Sequence, residues 1–175
     1  MMKFRELKAE EIEVRVGTCN DKGVSLLLYK DARCDARILD ETVGPENWQC
    51  RFYEQKGTLF CSLDILCQFA DVAEWVFKDD AGSPSNMEAA KGEASDAFKR
   101  AAFKWGIGRE LYTAPFIWVP KDKCNIKQGR NGKATCYDRF HVEKIEVVDG
   151  RIAKVSIWND TTGKRCFVHI EGDKK

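Results

Sequence analysis

The sequence predicts an α+β fold, in which an antiparallel β-meander packs on a long amphipathic helix as a β-β-β-α core. An N-terminal hairpin and helix precede this core, and a C-terminal β-hairpin follows it. Two observations predict the class. Several short segments alternate apolar and polar residues, which is the pattern of half-buried strands. The stretch 86–112 instead repeats apolar residues every three or four positions, which is the pattern of a helix with one buried side.

Length and composition indicate one domain. The chain has 175 residues, of which 43% are hydrophobic, so we expect a single domain over residues 1–175. No apolar run approaches the roughly 20 residues that cross a bilayer, and the opening segment is too charged for a signal peptide. We therefore expect an intracellular protein of the cytoplasm or nucleoid, with no membrane partner. Its eight cysteines form no CxxC pair, which favours reduced thiols over disulfides or zinc ligands.

The first third of the chain predicts a hairpin followed by a helix. Residues 12–17 and 24–29 are strand-like, and the polar segment 20–23 between them favours a turn. Asp31 is placed to cap a helix that runs to about Val43, where a Gly-Pro pair ends it.

Two arginines share a face of this predicted helix. Arg33 and Arg37 are four residues apart, and Glu41 follows after four more. An exposed ion pair between Arg37 and Glu41 is as good an interpretation as a binding role for the arginines.

Three strands of a meander follow at residues 48–54, 58–66 and 71–78, where apolar and polar residues alternate. A polar loop then leads to the long helix, for which Ser85 or Asn86 is the predicted cap. The buried side of that helix is predicted to consist of Met87, Ala90, Ala94, Ala97, Phe98, Ala101 and Trp105. Two glycines after it provide the C-terminal stop.

Basic residues concentrate in the second half of the chain. Residues 1–85 contain 11 Lys and Arg against 16 Asp and Glu, whereas residues 86–175 contain 18 against 12. On the polar side of the long helix, Lys99, Arg100 and Lys104 form a basic row, and Arg109 follows the helix end. Such a row suits the phosphates of a nucleic-acid backbone. A solvated face with Asp96 paired to Arg100 is the alternative interpretation.

The C-terminal third predicts a short apolar segment after Tyr112 and then a basic loop over residues 121–139. A hairpin follows, with strands at 140–148 and 151–158, and a further strand is predicted at 165–170.

Motifs for catalysis are scarce. No phosphate-binding GxxxxGK[ST] loop is present, so ATP-driven chemistry and a cofactor are not expected, and the chain is not predicted to be an enzyme. One catalytic alternative is a metal-dependent nuclease, in which Glu54 and Lys56 would act with Asp40 or Asp64. The five tryptophans could stack on bases, but their positions favour core packing.

The helix sequence ASDAFKRAAFKWGIGRELY, residues 94–112, resembles the signature helix of the Rad-fifty-two-type single-strand DNA annealing proteins, especially the short bacteriophage forms. The segments EEIEVRVG, VSLLLYKDAR and VGPENW are similar to that family's opening region. The resemblance covers about residues 5–115, and the basic loop and hairpin at 116–175 lie beyond it.

This resemblance implies function, partners and site residues. It implies ATP-independent binding and annealing of single-stranded DNA in recombination and repair, by a homo-oligomer that forms a ring or helical arc. A single-strand-binding protein or a recombinase is a further possible partner. Lys99 and Arg100 match the family's DNA-contacting Lys-Arg pair, and Arg33 or Arg37 matches another groove arginine. Phe103 occupies the place of a third basic residue, beside Lys104. A plain single-strand DNA or RNA-binding module is the alternative to an annealing protein.

Overall fold

The computed structural model of this protein describes residues 2–83, 89–129 and 132–172. The α-helices are α1 (Ala32–Val43) and α2 (Ala89–Trp105). The strands are β1 (Glu13–Asn20), β2 (Gly23–Tyr29), β3 (Trp48–Gln55), β4 (Thr58–Phe69), β5 (Val72–Ala81), β6 (Ile117–Pro120), β7 (Ile126–Gln128), β8 (Ala134–Cys136), β9 (Phe140–Val148), β10 (Arg151–Asn159) and β11 (Lys164–Ile170). Within the described residues, neither α-helix is long and apolar enough to cross a membrane.

The chain divides into two compact units. The first contains Met1–Arg5 and Asp31–Gly108, and the second contains Glu6–Lys30 and Arg109–Lys175. Compactness alone does not show that a unit folds independently. The single domain predicted over residues 1–175 therefore stays a prediction.

The first unit contains an antiparallel sheet in the order β3-β4-β5. Because side chains alternate across a strand, Cys61, Leu63 and Ile65 of the central strand point to one face, and all three are fully buried. Helix α2 packs against β4 and β5. The indole nitrogen of Trp105 donates to the carbonyl oxygen of Leu63 at 3.0 Å, which joins the end of α2 to the central strand.

Helix α1 begins and ends where the sequence predicts. The Asp31 carboxylate accepts a hydrogen bond from the backbone N–H of Cys34 at 2.7 Å, which caps the first turn. Gly44 ends the helix with a φ of 87°, a conformation that glycine adopts at little cost. Ile38 and Leu39 are fully buried, so the opposite side of α1 is left for polar residues.

The predicted buried side of α2 is confirmed at Ala97, Phe98 and Ala101. Phe98 contacts Trp48 with ring centroids 6.0 Å apart, and Ala94 and Trp105 are half-buried. The predicted caps Ser85 and Asn86, together with Met87 and the side chain of Ala90, lie outside the described residues.

The second unit contains a six-stranded antiparallel sheet in the order β11-β10-β9-β1-β2-β6. The hairpins β1–β2 and β9–β10 form where turns are predicted, and β1 joins them by pairing with β9 at Glu13 and His141. The core of this unit includes Val24, Val119 and Ile157, which are fully buried. Strands β7 and β8 form a separate two-stranded sheet inside the segment predicted as a loop.

The predicted fold class is wrong. Over the residues that the structure describes, the protein is mostly β, with 50% strand and 25% helical residues, rather than one β-β-β-α core with a hairpin at each end. The meander is the smaller of the two main sheets, and the N-terminal and C-terminal hairpins are parts of one larger sheet. Local periodicity predicted most of the strands, but the pairing of β1 with β9 joins residues more than a hundred positions apart. Tertiary contacts decide such a pairing, and no local pattern records it.

Candidate nucleic-acid interface

Two cations of α2 converge on one carboxylate at the end of β5. Arg100 Nε lies 3.4 Å from Asp80 Oδ1, and Lys104 Nζ lies 3.5 Å from Asp80 Oδ2. The two cations share a side of the helix because they are one turn apart. Lys104 also donates to the backbone carbonyl of Asp79. Asp80 therefore keeps both positive groups at defined positions, and Lys78, Asp80, Lys99, Arg100 and Lys104 are referred to below as the α2 cluster.

Lys78 ties β5 to the end of α2. Its ammonium group donates to the backbone carbonyl of Lys104 at 3.0 Å and lies 4.4 Å from the centroid of the Trp105 ring. Both contacts are favourable, because helix C-terminal carbonyls and aromatic faces attract cations. Sequence reasoning missed Lys78 and Asp80 as site residues. Alternation along β5 places them on one face, but only the packed structure shows that this face meets the helix.

The positive side chains of the α2 cluster are more exposed to solvent than its carboxylate. About half of each cationic side chain is accessible, with 48% for Arg100 and 45% for Lys104, whereas Asp80 is only 20% accessible. Lys99 is half-buried beside them on α2. Guanidinium and ammonium groups in this setting can donate to phosphate oxygens from the side that Asp80 does not occupy.

The alternative partner proposed for Arg100 has another role. The Asp96 carboxylate accepts a hydrogen bond from the backbone N–H of Ser83 at 3.0 Å, which holds the loop after β5 against α2. Asp80 is the carboxylate that the structure places at Arg100.

The two predicted arginines of α1 lie on its exposed side. Arg33 and Arg37 are both exposed, in the same unit as the α2 cluster but on a different helix. The carboxylate of Glu41, the alternative partner of Arg37, accepts a hydrogen bond from Arg5 Nε at 2.5 Å.

Arg109 belongs to a different compact unit from the other predicted residues. It is exposed at the start of the 3-10 helix Arg109–Thr113 and belongs to the second unit. The structure thus brings together Arg100 and Lys104, whereas Arg109 lies in a different unit.

The carboxylates of the nuclease alternative are far apart. Glu54 pairs with Leu59 in the sheet and Asp64 pairs with Gln49, so five strand residues, about 17 Å, separate the two positions. Asp64 is buried and accepts from Ser62 Oγ at 2.7 Å and from Arg51 at 2.9 Å. In the part of the chain that is described, no group of three or more His, Cys, Asp or Glu side chains could hold a metal ion.

Aromatic side chains collect on the β3-β4-β5 sheet. Tyr53 stacks on Phe60 with ring centroids 5.5 Å apart, and Phe77 is 65% exposed. Trp75 is 46% exposed, so the core packing predicted for the tryptophans fails at this position. Trp75 lies near the start of β5, where the edge strand is open to solvent.

The pattern of the Rad52/22 family double-strand break repair proteins matches residues 71–130. The predicted resemblance is confirmed. The matched range contains the whole α2 cluster and Arg109, but neither arginine of α1. The chain is also 35% identical, over 103 residues, to the single-stranded DNA-binding protein DdrA of Deinococcus radiodurans. The alignment covers 55% of this chain and 45% of DdrA, so the chain matches about half the length of that relative. No solved structure matches the chain significantly.

Proposed function

We propose that this protein binds single-stranded DNA and anneals complementary strands as an oligomer, without ATP, in recombination and repair. The observation that supports this most is that the Rad52/22 match over residues 71–130 contains every residue of the α2 cluster. The name of DdrA, a single-stranded DNA-binding protein, supports the choice of ligand.

The chemistry of the α2 cluster fits a sequence-independent contact. Arg100 and Lys104 are positive, half exposed and held in place, and this suits phosphate oxygens rather than base edges. A single cluster neutralises few phosphates and would bind weakly. Repeating it around a ring or helical arc would add many such contacts while leaving base edges accessible for pairing.

The remaining predicted residues complete the proposal. Arg33 and Arg37 would add phosphate contacts from α1, and Arg109 would add one from the second unit. Because DNA is the proposed ligand, we place the protein's action in the cytoplasm or nucleoid. A single-strand-binding protein or a recombinase would be an additional partner.

The decisive variant is Lys99→Ala combined with Arg100→Ala. We expect it to lose most single-strand binding at moderate salt, because two phosphate contacts are removed. Each lost contact should also lower the dependence of log affinity on log salt concentration by about 0.7. Binding of the full chain to a labelled oligothymidine would be measured by fluorescence anisotropy over a range of salt concentrations. Circular dichroism and sedimentation would check that the fold and the oligomer are retained.

The matched control is Arg151→Ala combined with Lys154→Ala. It also removes two positive charges, but these belong to surface ion pairs with Glu171 and Glu146 in the second unit. We expect it to bind like the wild type. Wild-type binding by the α2 variant instead would refute the assignment of the site.

A second assay separates annealing from the alternatives. Complementary labelled oligonucleotides are mixed with the protein in the absence of ATP, and both duplex formation and strand length are followed. Faster duplex formation with intact strands is the expected result. Coating without faster pairing would indicate a plain binding module, and shortened strands in magnesium would indicate a nuclease.

A further inference from the structure

The β7–β8 ribbon has one face that points outward. Its register pairs Lys127 with Thr135 on one face, and Lys133 and Tyr137, which directly flank β8, are both exposed. The other face contains Ile126 and its partner Cys136, which are half-buried, and β8 contacts β1 of the same unit. The ribbon therefore packs through one face and presents Lys127 on the other, with the exposed Lys133 and Tyr137 beside β8.

The outward face and its flanks are basic and open to solvent. Exposed cations here are Lys121, Lys123, Lys127, Lys133 and Arg139. Tyr137 is 77% exposed, in contrast to the half-buried Trp118 and Trp158 of the same unit. An aromatic ring that projects into solvent among cations offers a flat apolar surface next to positive charge.

The carboxylate of Asp138, just after β8, accepts hydrogen bonds from neutral groups. Asp138 Oδ2 accepts from the backbone N–H of Asn125 and from Asn159 Nδ2, both at 2.8 Å, and Oδ1 accepts from Asn125 Nδ2 at 3.0 Å. Asp138 thus fastens the base of the ribbon through hydrogen bonds from amides, and Lys127 also interacts with it electrostatically. Lys127 is nevertheless exposed to solvent, so a ligand can reach its ammonium group.

We propose that the outward face of the β7–β8 ribbon is a second contact for single-stranded DNA. Lys127 on this face and Lys123, at the end of the preceding 3-10 helix Lys121–Lys123, bind phosphates, and Tyr137, which follows β8, stacks on a base. Single strands fit better than duplex, because a ring can stack only on a base whose face is exposed. This inference rests on the proposed function for the identity of the ligand, but it concerns a different surface from the α2 cluster.

The two kinds of contact have different signatures in binding measurements. Lys123→Ala with Lys127→Ala should lower the salt slope for oligothymidine by about 1.4, since two phosphate contacts are lost. Tyr137→Ala should weaken binding by about fivefold or more with the slope unchanged, because stacking is not an ionic contact. Tyr137→Phe keeps the ring and should bind like the wild type.

Controls keep the test specific to the ribbon. Lys144→Ala with Lys164→Ala removes two exposed lysines elsewhere in the second unit and should leave the slope near that of the wild type. Thermal melting of each variant would show that the unit remains folded. Binding to a duplex of the same length should not change in Tyr137→Ala, because its bases are stacked on one another.

The outcomes separate this inference from the proposed function. If the wild type does not bind oligothymidine, both proposals fail. If the α2 variant loses binding while the lysine and tyrosine variants of the ribbon behave like the wild type, the proposed function stands and the ribbon contact is overturned. Loss of slope in the lysine variant, together with weaker binding in Tyr137→Ala, supports the ribbon contact.

Discussion

The α2 cluster and the β7–β8 ribbon both present lysines and arginines, but their carboxylates have opposite roles. In the α2 cluster, Asp80 lies within 3.5 Å of both Arg100 and Lys104 and fixes their positions. At the ribbon, Asp138 accepts hydrogen bonds from Asn125 and Asn159, and it interacts with Lys127 electrostatically. Two basic surfaces can therefore differ in how firmly their cations are positioned and in how accessible the cations are to a ligand.

The difference sets what each region can contribute to binding. A positioned cation loses less conformational freedom when it meets a phosphate, but the ligand must compete with Asp80 for it. At the ribbon, the amides already hydrogen-bond the carboxylate that attracts Lys127, and the exposed lysine must be ordered when it binds a phosphate. Exchanging each carboxylate for an amide tests this contrast directly.

The largest expected effect is on stability, in Asp138→Asn. Burial alone raises the pKa of Asp138, but hydrogen bonds from Asn159 and Asn125 outweigh burial and lower this pKa below its ordinary value. In the Asn variant, an NH2 group replaces one carboxylate oxygen and faces the N–H donors of Asn125 or Asn159, so a hydrogen bond is lost. We therefore expect the free energy of unfolding to fall by about 1.5 kcal/mol or more. Urea denaturation at neutral pH measures this. The exposed Asp122→Asn is the control, and equal stability of the two variants would contradict a structural role for Asp138.

The middle effect is on binding, in Asp80→Asn. Removing the carboxylate makes Arg100 and Lys104 more available, so we expect single-strand binding to tighten by about two- to fivefold, the affinity equivalent of a surface ion pair. Asp96→Asn changes the net charge equally but affects a backbone contact, and it should tighten binding less. Weaker binding of Asp80→Asn would show that positioning the cations outweighs competition for them.

The smallest effect concerns a carboxylate–arginine pair away from both surfaces. Hydrogen bonds from Arg165 hold the pKa of Glu143 at about 2, below its ordinary 4.5. Because the folded pKa is depressed, the stabilisation is present above about pH 4.5 and is lost as the pH falls toward 2. Glu143→Gln should therefore lose less stability than the wild type across this window, as measured by thermal melting. Parallel melting curves against pH would refute the assignment.

The elements with strong local signals were predictable from the sequence. The ends of α1 were predictable from the cap at Asp31 and the glycine after Val43. The spacing of apolar residues identified the buried side of α2. The hairpin β9–β10 was also predicted, and its turn residues Asp149 and Gly150 both have the positive φ that Asp-Gly hairpin turns require. The fold class was not predictable in this way, because it depends on which distant strands pair.

The candidate site shows the same division. The basic row of α2 is visible in the sequence, because residues one turn apart share a helix face. The sequence does not predict that Asp80 and Lys78 belong to the cluster, since the alternation of β5 does not show which face of the strand the helix covers. The basic segment 121–139 looked like a loop because its strands are only three residues long.

By itself, the sequence determined local conformation: which residues cap, turn, alternate or form an apolar stripe. It also determined the placement of basic residues in the second half of the chain and the likeness to a family of DNA repair proteins. Only the tertiary structure decided that the two terminal hairpins share a sheet, that Asp80 lies at Arg100 and Lys104, and that Asp138 is held by amides. These features depend on contacts between residues far apart in the chain, which are selected by burial and hydrogen bonding of the whole fold rather than by local preference.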